Sequence, residues 1–185
     1  EAGAGAGNNL FVRDLRQQDS QFIQMTDNMD YQYAPIYDDG DKIYIYTNYD
    51  APKGRIMTAD IHHPGVNDWQ VLIPEKENVL GGIDVINRQF ILTYAQDACD
   101  HAFVYGLDGK LRHEVKLPSV GSVGFTGDKK ESECFYTFTS FTQPGTIYRY
   151  DMAKNESTLY AQPNIKFKQQ DYESKQIFFN SKDTT

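Results

Sequence analysis

Four histidines, two cysteines and a few paired carboxylates are the side chains of this 185-residue sequence with chemistry to offer. A nucleophilic hydrolase needs a Ser or Cys, a base beside it and an acid that orients the base. The serine flanked by glycines, in Gly121-Ser122-Val123-Gly124, lacks the Gly-x-Ser-x-Gly spacing of a nucleophile elbow and has no helix behind it. His62-His63 precedes Pro64-Gly65 and reads as a turn, where adjacent side chains point apart and do not share a metal. His101 and His113 fall on neighbouring strands and read as a surface pair. Cys99 and Cys134 fit no zinc spacing; they read as two free thiols, Cys99 in a loop and Cys134 at a strand start, and leave the redox compartment open. Asp38-Asp39 and Asp97/Asp100 belong to the kind of carboxylate that turns use for side-chain-to-backbone hydrogen bonds. Asp38-Asp39-Gly40-Asp41 opens like a calcium loop but lacks the later ligands, so a tight hairpin with Gly at positive φ is expected. No carboxylate pair is placed across a cleft as a glycosidase requires. Asn155-Glu156-Ser157 matches a glycosylation acceptor, a pattern that chance often produces. No metal and no cofactor is expected.

The elements that would position these residues repeat. Ile43–Thr47, Phe90–Tyr94 and Cys134–Phe138 are similar aromatic-rich strands whose starts lie 47 and then 44 residues apart. The strands that follow, Arg55–Ile61, Ala102–Gly106 and Gly145–Asp151, keep nearly the same step. A period of this size built from short strands alone is the signature of a β-propeller with one four-stranded blade per repeat. The fold class is therefore all-β, a partial propeller of about three and a half antiparallel blades. The expected organisation is a half blade over 8–28 and whole blades over 29–76, 77–118 and 119–163. In the half blade, Asn9–Leu15 and Gln21–Met25 read as strands three and four. Leu107-Asp108-Gly109-Lys110 reads as an Asp-Gly hairpin. The opening Glu1-Ala2-Gly3-Ala4-Gly5-Ala6-Gly7 carries no phosphate-loop Lys and reads as flexible or artificially added. Lys175–Asn180 reads as an extended segment that starts no further blade.

Composition agrees with this class. Thirteen Tyr and eleven Phe favour strands, whose pleated surface packs rings well, and fourteen Gly and seven Pro supply turns. A net charge of −8 argues against nonspecific attraction to nucleic acid or anionic membranes. The basic clusters, Lys129-Lys130 and the spaced Lys166 and Lys168, are few, and the first reads as a charged turn. No apolar run approaches the ~20 residues of a membrane span, and no signal peptide is visible. A soluble protein, cytoplasmic or periplasmic, is expected.

Two stretches are more specific than the period. The run Phe135-Tyr136-Thr137-Phe138-Thr139-Ser140-Phe141-Thr142-Gln143-Pro144-Gly145-Thr146-Ile147-Tyr148-Arg149-Tyr150-Asp151 resembles the end of the propeller of the prolyl oligopeptidase family. So does the closing Asp171-Tyr172-Glu173-Ser174-Lys175-Gln176-Ile177-Phe178-Phe179-Asn180-Ser181-Lys182-Asp183. Asn8–Leu15, Thr47 to Arg55 and Trp69–Glu75 are similar to the same family, in order. The resemblance implies the C-terminal half of a seven-bladed propeller, with 171–185 starting the connection to an α/β-hydrolase domain. It also implies a serine endopeptidase that cleaves short peptides after proline, whose catalytic Ser, Asp and His lie outside this sequence. The propeller's implied part is to cap the active site and restrict access to short proline-containing peptides.

Within a blade the chain alternates faces, so loops joining strands two and three share a side with the links between blades. The Gly3–Asn8 stretch is also such a loop, and the resemblance implies that its family counterpart looks toward the active site, so 48–54, 95–100 and 140–145, on the same side, are expected on the capping face. The candidate access residues are Asn8, Asn48, Asp50, Pro52, Gln96, Asp97, Thr142 and Gln143; plain solvent-facing loops are the alternative for each. A freestanding propeller-like module that binds a peptide or protein is the rival reading. An open arc also leaves two blade faces uncovered, lined by residues of the kind of Tyr44, Tyr46, Phe90, Leu92, Phe135, Tyr136 and Phe138. A homodimer in which each copy covers the other is therefore expected.

Overall fold

The computed structural model describes residues 7–164, 171–172 and 176–178. The expectations for residues 1–6, Lys166 and Lys168, and most of 173–185 lie outside the described residues. Among the described residues, fourteen strands make up four sheets, all antiparallel and each ordered as the chain runs. A two-stranded piece, β1 (Phe11–Val12) and β2 (Ile23–Gln24), precedes three four-stranded blades. The first blade holds β3 (Tyr33–Asp39), β4 (Lys42–Thr47), β5 (Arg55–Asp60) and β6 (Gln70–Ile73). The second holds β7 (Val79–Ile86), β8 (Gln89–Gln96), β9 (Cys99–Gly106) and β10 (Leu111–Glu114). The third holds β11 (Ser122–Gly127), β12 (Glu133–Thr139), β13 (Thr146–Asp151) and β14 (Glu156–Ala161). The sheets do not close on one another, so the architecture is that of a partial propeller, and a single 3-10 turn at Val66–Asp68 is its helical element among the described strands and links.

Turn chemistry sets the blade geometry. The β3–β4 connection is the two residues Gly40 and Asp41, with Gly40 at φ 66°. Gly109 (φ 75°) closes the β9–β10 hairpin, and a Cβ there would stand 2.6 Å from the Leu72 carbonyl oxygen of the first blade. That glycine is required twice, by its turn and by the neighbouring blade. Two further hairpins have no glycine: Asn87 and Arg88 (φ 49° and 55°) join β7 to β8, and Asp97 and Ala98 (φ 50° and 60°) join β8 to β9. Positive φ at two central residues gives the twist that suits a two-residue hairpin, and for Ala98 it costs about 1–2 kcal/mol.

Three expectations change. Cys99 is the first residue of β9 and not a loop residue, because the Asp97–Ala98 turn is so tight that Gln96 already pairs with Cys99. The half-blade strands are two residues long, not seven and five. Side chains take over some of their backbone groups: the Leu10 amide donates to Thr26 Oγ1 (2.8 Å), and Ser20 Oγ donates to the Asp14 carbonyl. Of the residues named for the uncovered faces, Phe135 does lie at the open end, against Tyr160 of β14 (ring centroids 5.0 Å), but most of the others lie elsewhere. Tyr44, Phe90 and Leu92 are buried between the first and second blades, and Tyr136 and Phe138 between the second and third. A middle blade covers both faces of its strands, so both sets of alternating residues go inside; Tyr44 and Ile45 are both buried. Apolar residues left open at the two ends of the row include Leu15, Phe22, Met29 and Ile23 at one and Leu159 and Tyr160 at the other.

The core is thus a row of inter-blade layers. Ile91, Val104, Phe138 and Tyr150 fill one, and Ile56, Ile73, Phe90 and Leu92 the next. Met25, Tyr33, Met57 and Trp69 join the half blade to the first blade. Full burial of each Leu, Ile or Phe contributes about 1.5–3 kcal/mol, so these layers hold the loops at their edges in fixed relation.

Candidate functional site

The blades are tied at both rims. On one rim the short turns meet: Arg16 donates to Asp41 (2.8 Å), Arg88 to Asp39 (2.8 Å), and the Asn87 and Arg88 amides to the Asp128 and Lys129 carbonyls. On the other rim the connections between strands two and three of the first and second blades meet the chain entering the next blade. The Leu80 amide donates to the Lys53 carbonyl (2.9 Å), and the Lys53 amide to Glu75. Asp100 is the corresponding tie one blade further on. Its amide donates to the Gly121 carbonyl (2.9 Å), and its Oδ2 accepts from the Val123 amide (2.9 Å). This second rim collects the candidate residues.

Their side chains divide into two kinds. Asn8 is spent on structure: its Oδ1 accepts from the Tyr33 amide (2.8 Å) and its Nδ2 donates to the Tyr33 carbonyl (3.0 Å). Asn48 likewise accepts from the Gln32 amide through Oδ1 (2.7 Å). Gln143 donates through Nε2 to the Tyr148 hydroxyl (2.8 Å), and the Thr142 amide donates to Ser140 Oγ (3.3 Å). Asp50 and Pro52 stand exposed at the tip of the β4–β5 loop, Asp50 at φ 46°. Gln96 and Asp97 are also exposed, with Gln96 Oε1 accepting from Asn78 Nδ2 (3.2 Å).

A cleft of about 550 Å³ opens on this rim between the second and third blades, lined by residues 97–99, 120–122 and 139–141 and by Gln176. Asp97 is the one candidate residue in its lining; Asn8, Asn48, Asp50 and Pro52 belong to loops one and two blades away. Phe141, also in the lining, is fully exposed. Phe141, Ala98 and Gln176 were not singled out from the sequence. An aromatic residue in a polar loop is the one signal that could have found Phe141; nothing local marks the other two.

The titratable groups elsewhere are structural. His101 Nδ1 lies 3.0 Å from Glu114 Oε1, and His113 Nε2 lies 2.8 Å from the Tyr150 hydroxyl, so the two histidines do not pair with each other. Tyr150 donates to Asn155 Oδ1 (2.9 Å), which can only accept, so His113 must carry its proton on Nε2. Burial lowers the pKa of His113 and raises that of the Cys134 thiol to about 12. Both cysteines are free. No hydrogen bond joins Ser122 to a histidine among the described residues, and no group of three or more metal-ligating side chains gathers there. No helix among them is long and apolar enough to cross a membrane.

The relatives of the chain agree with this architecture. The family profile described as prolyl oligopeptidase, N-terminal beta-propeller domain, matches residues 1–163. A prolyl endopeptidase of Elizabethkingia meningoseptica is 35% identical over 185 residues, all of this chain and 26% of that protein. One of Dictyostelium discoideum is 30% identical over 174 residues, covering 87% of this chain and 23% of that protein. A solved chain from a study of two prolyl endopeptidases superposes with a TM-score of 0.85 at 26% identity, over 98% of this chain and 27% of that one. The apo prolyl oligopeptidase B of Galerina marginata shares the fold, with a TM-score of 0.89 at 24% identity over 99% of this chain and 27% of its own. The chain spans about a quarter of the length of these relatives. Sheets, profile and relatives together place the chain in the prolyl oligopeptidase family, within its N-terminal β-propeller domain.

Proposed function

We propose that this chain is the second half of the propeller of a serine endopeptidase that cleaves short peptides after proline, and that it caps the active site of an α/β-hydrolase domain. Residues 8–28, 29–76, 77–118 and 119–163 are its half blade and three blades, and 171–185 begin the connection to that domain. In this role the chain performs no bond cleavage. It excludes large folded proteins and admits short proline-containing peptides. The single observation that carries the reading is the gathering of the 48–54 loop, the Asp97–Ala98 turn and the 140–145 loop on the rim that also holds the links and Gln176. A rim so built presents one continuous, hydrogen-bonded surface to whatever domain the chain enters. Solved Galerina marginata prolyl oligopeptidase B with a 35mer substrate bound has the same fold, at a TM-score of 0.82, which agrees with peptides as the partner class.

On this reading Asp50, Pro52, Gln96, Asp97, Thr142 and Gln143 meet the peptide or the facing domain, while Asn8 and Asn48 hold their loops in place. The test is to assay the 185-residue chain by itself with a Gly-Pro chromogenic peptide and a serine-directed phosphonate. Neither turnover nor covalent labelling is expected. Stoichiometric labelling of a serine, Ser122 included, would overturn the reading of the chain as a non-catalytic cap.

A further inference from the structure

Six arginines stand in the sequence, and five of them have polar partners. Arg16, Arg88, Arg112 and Arg149 each meet a carboxylate at 2.8–3.1 Å, and Arg13 donates to Ser20 Oγ and the Gln18 carbonyl. Arg55 is the exception. Among the described residues its guanidinium makes no hydrogen bond or ion pair, and its Nε is shut off from solvent with no acceptor. A buried donor in that state is uncommon and calls for an explanation, the more so on a cation.

The surroundings of Arg55 fix it without neutralising it. It opens β5 directly after the 48–54 loop, on the rim that carries the candidate residues. That loop is closed on itself by bonds from the Ala51 amide to the Asn48 carbonyl (3.1 Å) and from the Gly54 amide to the Ala51 carbonyl (2.8 Å). The guanidinium carbon lies over the Tyr49 ring, 5.7 Å from its centre. The ring is held in turn: the Tyr49 amide donates to Thr47 Oγ1 (3.0 Å), and Tyr31 meets the ring edge-on at 5.0 Å. Lys53 of the same loop is already spent on the Glu77 carbonyl. Arg55 as a whole is half-buried, and its terminal nitrogens, unlike Nε, are not sealed. One edge of the guanidinium is therefore fixed and dry, and the other carries free donors.

We propose that Arg55 is a carboxylate-binding site, in which the terminal N–H groups of its open edge take the two oxygens of a carboxylate in parallel and the Tyr49 ring is the platform behind it. A planar guanidinium matches a carboxylate in this way, is less strongly hydrated than an ammonium, and stacks on aromatic faces. The carboxylate comes from the end of a bound peptide or from an acidic side chain of a facing domain. Only that choice of source rests on the capping role proposed above; the site itself rests on the surroundings of Arg55.

Acetate added to the 185-residue chain tests the site. In an isotope-labelled sample the dry Arg55 Nε–H gives a slowly exchanging signal, which Arg55→Lys removes and so identifies; Arg55→Gln serves the same end if the first variant does not fold. Sodium acetate should move this signal along a saturating curve, beyond the shift given by sodium chloride at equal ionic strength, while the paired arginines respond to both salts alike. Arg55→Lys keeps the charge and loses the fork, so it should bind acetate about 10-fold more weakly, read on the Tyr49 ring protons. No response, or one that chloride reproduces, would overturn the site. The same titration on the full-length protein separates the sources. A response lost there marks an acidic side chain of the facing domain as the occupant, and a response retained marks the site as open to the terminal carboxylate of a peptide. Failure of the capping role would leave acetate binding by the chain alone unchanged.

Discussion

Replacing Asp100 by Ala should separate the second and third blades at the rim that carries the cleft. The Asp100 carboxylate accepts from the Val123 amide at 2.9 Å, and in the variant that amide keeps no partner. The neighbouring tie, from the Asp100 amide to the Gly121 carbonyl, is backbone and survives. A hydrogen bond to a charged acceptor is worth about 1.5–3 kcal/mol. Asp100 is half-buried, so water can partly replace the lost acceptor and the lower end, about 1.5–2 kcal/mol, is expected. At this chain length each kcal/mol moves Tm by about 2–4 °C, giving a fall of about 3–8 °C. Asp100→Asn keeps a neutral acceptor and should recover roughly half of the loss. Urea unfolding followed by far-UV circular dichroism reports on all the blades, whereas fluorescence of Trp69 follows the layer between the half blade and the first blade. An Asp100→Ala variant within about 0.5 kcal/mol of the parent, the range of an ordinary surface change, would refute the claim that this carboxylate ties the blades.

Three other outcomes follow from the same geometry. Burial lowers the pKa of His113 below its unfolded value, so its contribution is complete above the ordinary histidine pKa and is lost as pH falls through and below it. The urea midpoint should drop between about pH 7.5 and 5.5, and less so in His113→Gln, which can still donate to Tyr150. Asn155 donates to the Glu114 carbonyl (3.0 Å) and accepts from Tyr150, so Asn155-Glu156-Ser157 should carry no glycan when the chain is expressed in a glycosylating host and examined by intact-mass spectrometry. The isolated chain exposes Phe22 and Met29 at one end and Leu159 and Tyr160 at the other; sedimentation equilibrium at micromolar concentration should show a homodimer, and a stable 21.2 kDa monomer would rule it out.

The fold was legible because aromatic strands recur at a steady step and Asp-Gly pairs mark hairpins, as at Gly40 and Gly109. Of the two hairpins without glycine, Asn87–Arg88 was legible between its strands and Asp97–Ala98 was not. Asp97 and Ala98 give no local sign of adopting positive φ, so the connection looked longer than two residues and Cys99 was assigned to a loop. The half-blade strands were overestimated because Ser20 and Thr26 compete for backbone groups that a propensity reading assigns to the ladder. That the loops between strands two and three share one rim with the links followed from topology, since alternation of faces is a property of any up-and-down blade. Which side chains on it are free did not follow. Asn8 and Asn48 look like loop residues, but their partners lie 25 and 16 residues away at the entry to the first blade. Gln176 reaches Asp97 across 79 residues, a contact no local pattern encodes.

The account stands most directly on how access depends on substrate length. In the full-length protein, Pro52–Gly54 and, separately, Gln143–Gly145 would be replaced by other loop sequences, and kcat/KM measured for a series of proline-containing peptides of increasing length. If these loops belong to the cap, kcat/KM changes for the longer peptides and stays near the parent value for dipeptide-like substrates. Equal losses at every length would contradict the cap and point instead to a general defect in folding.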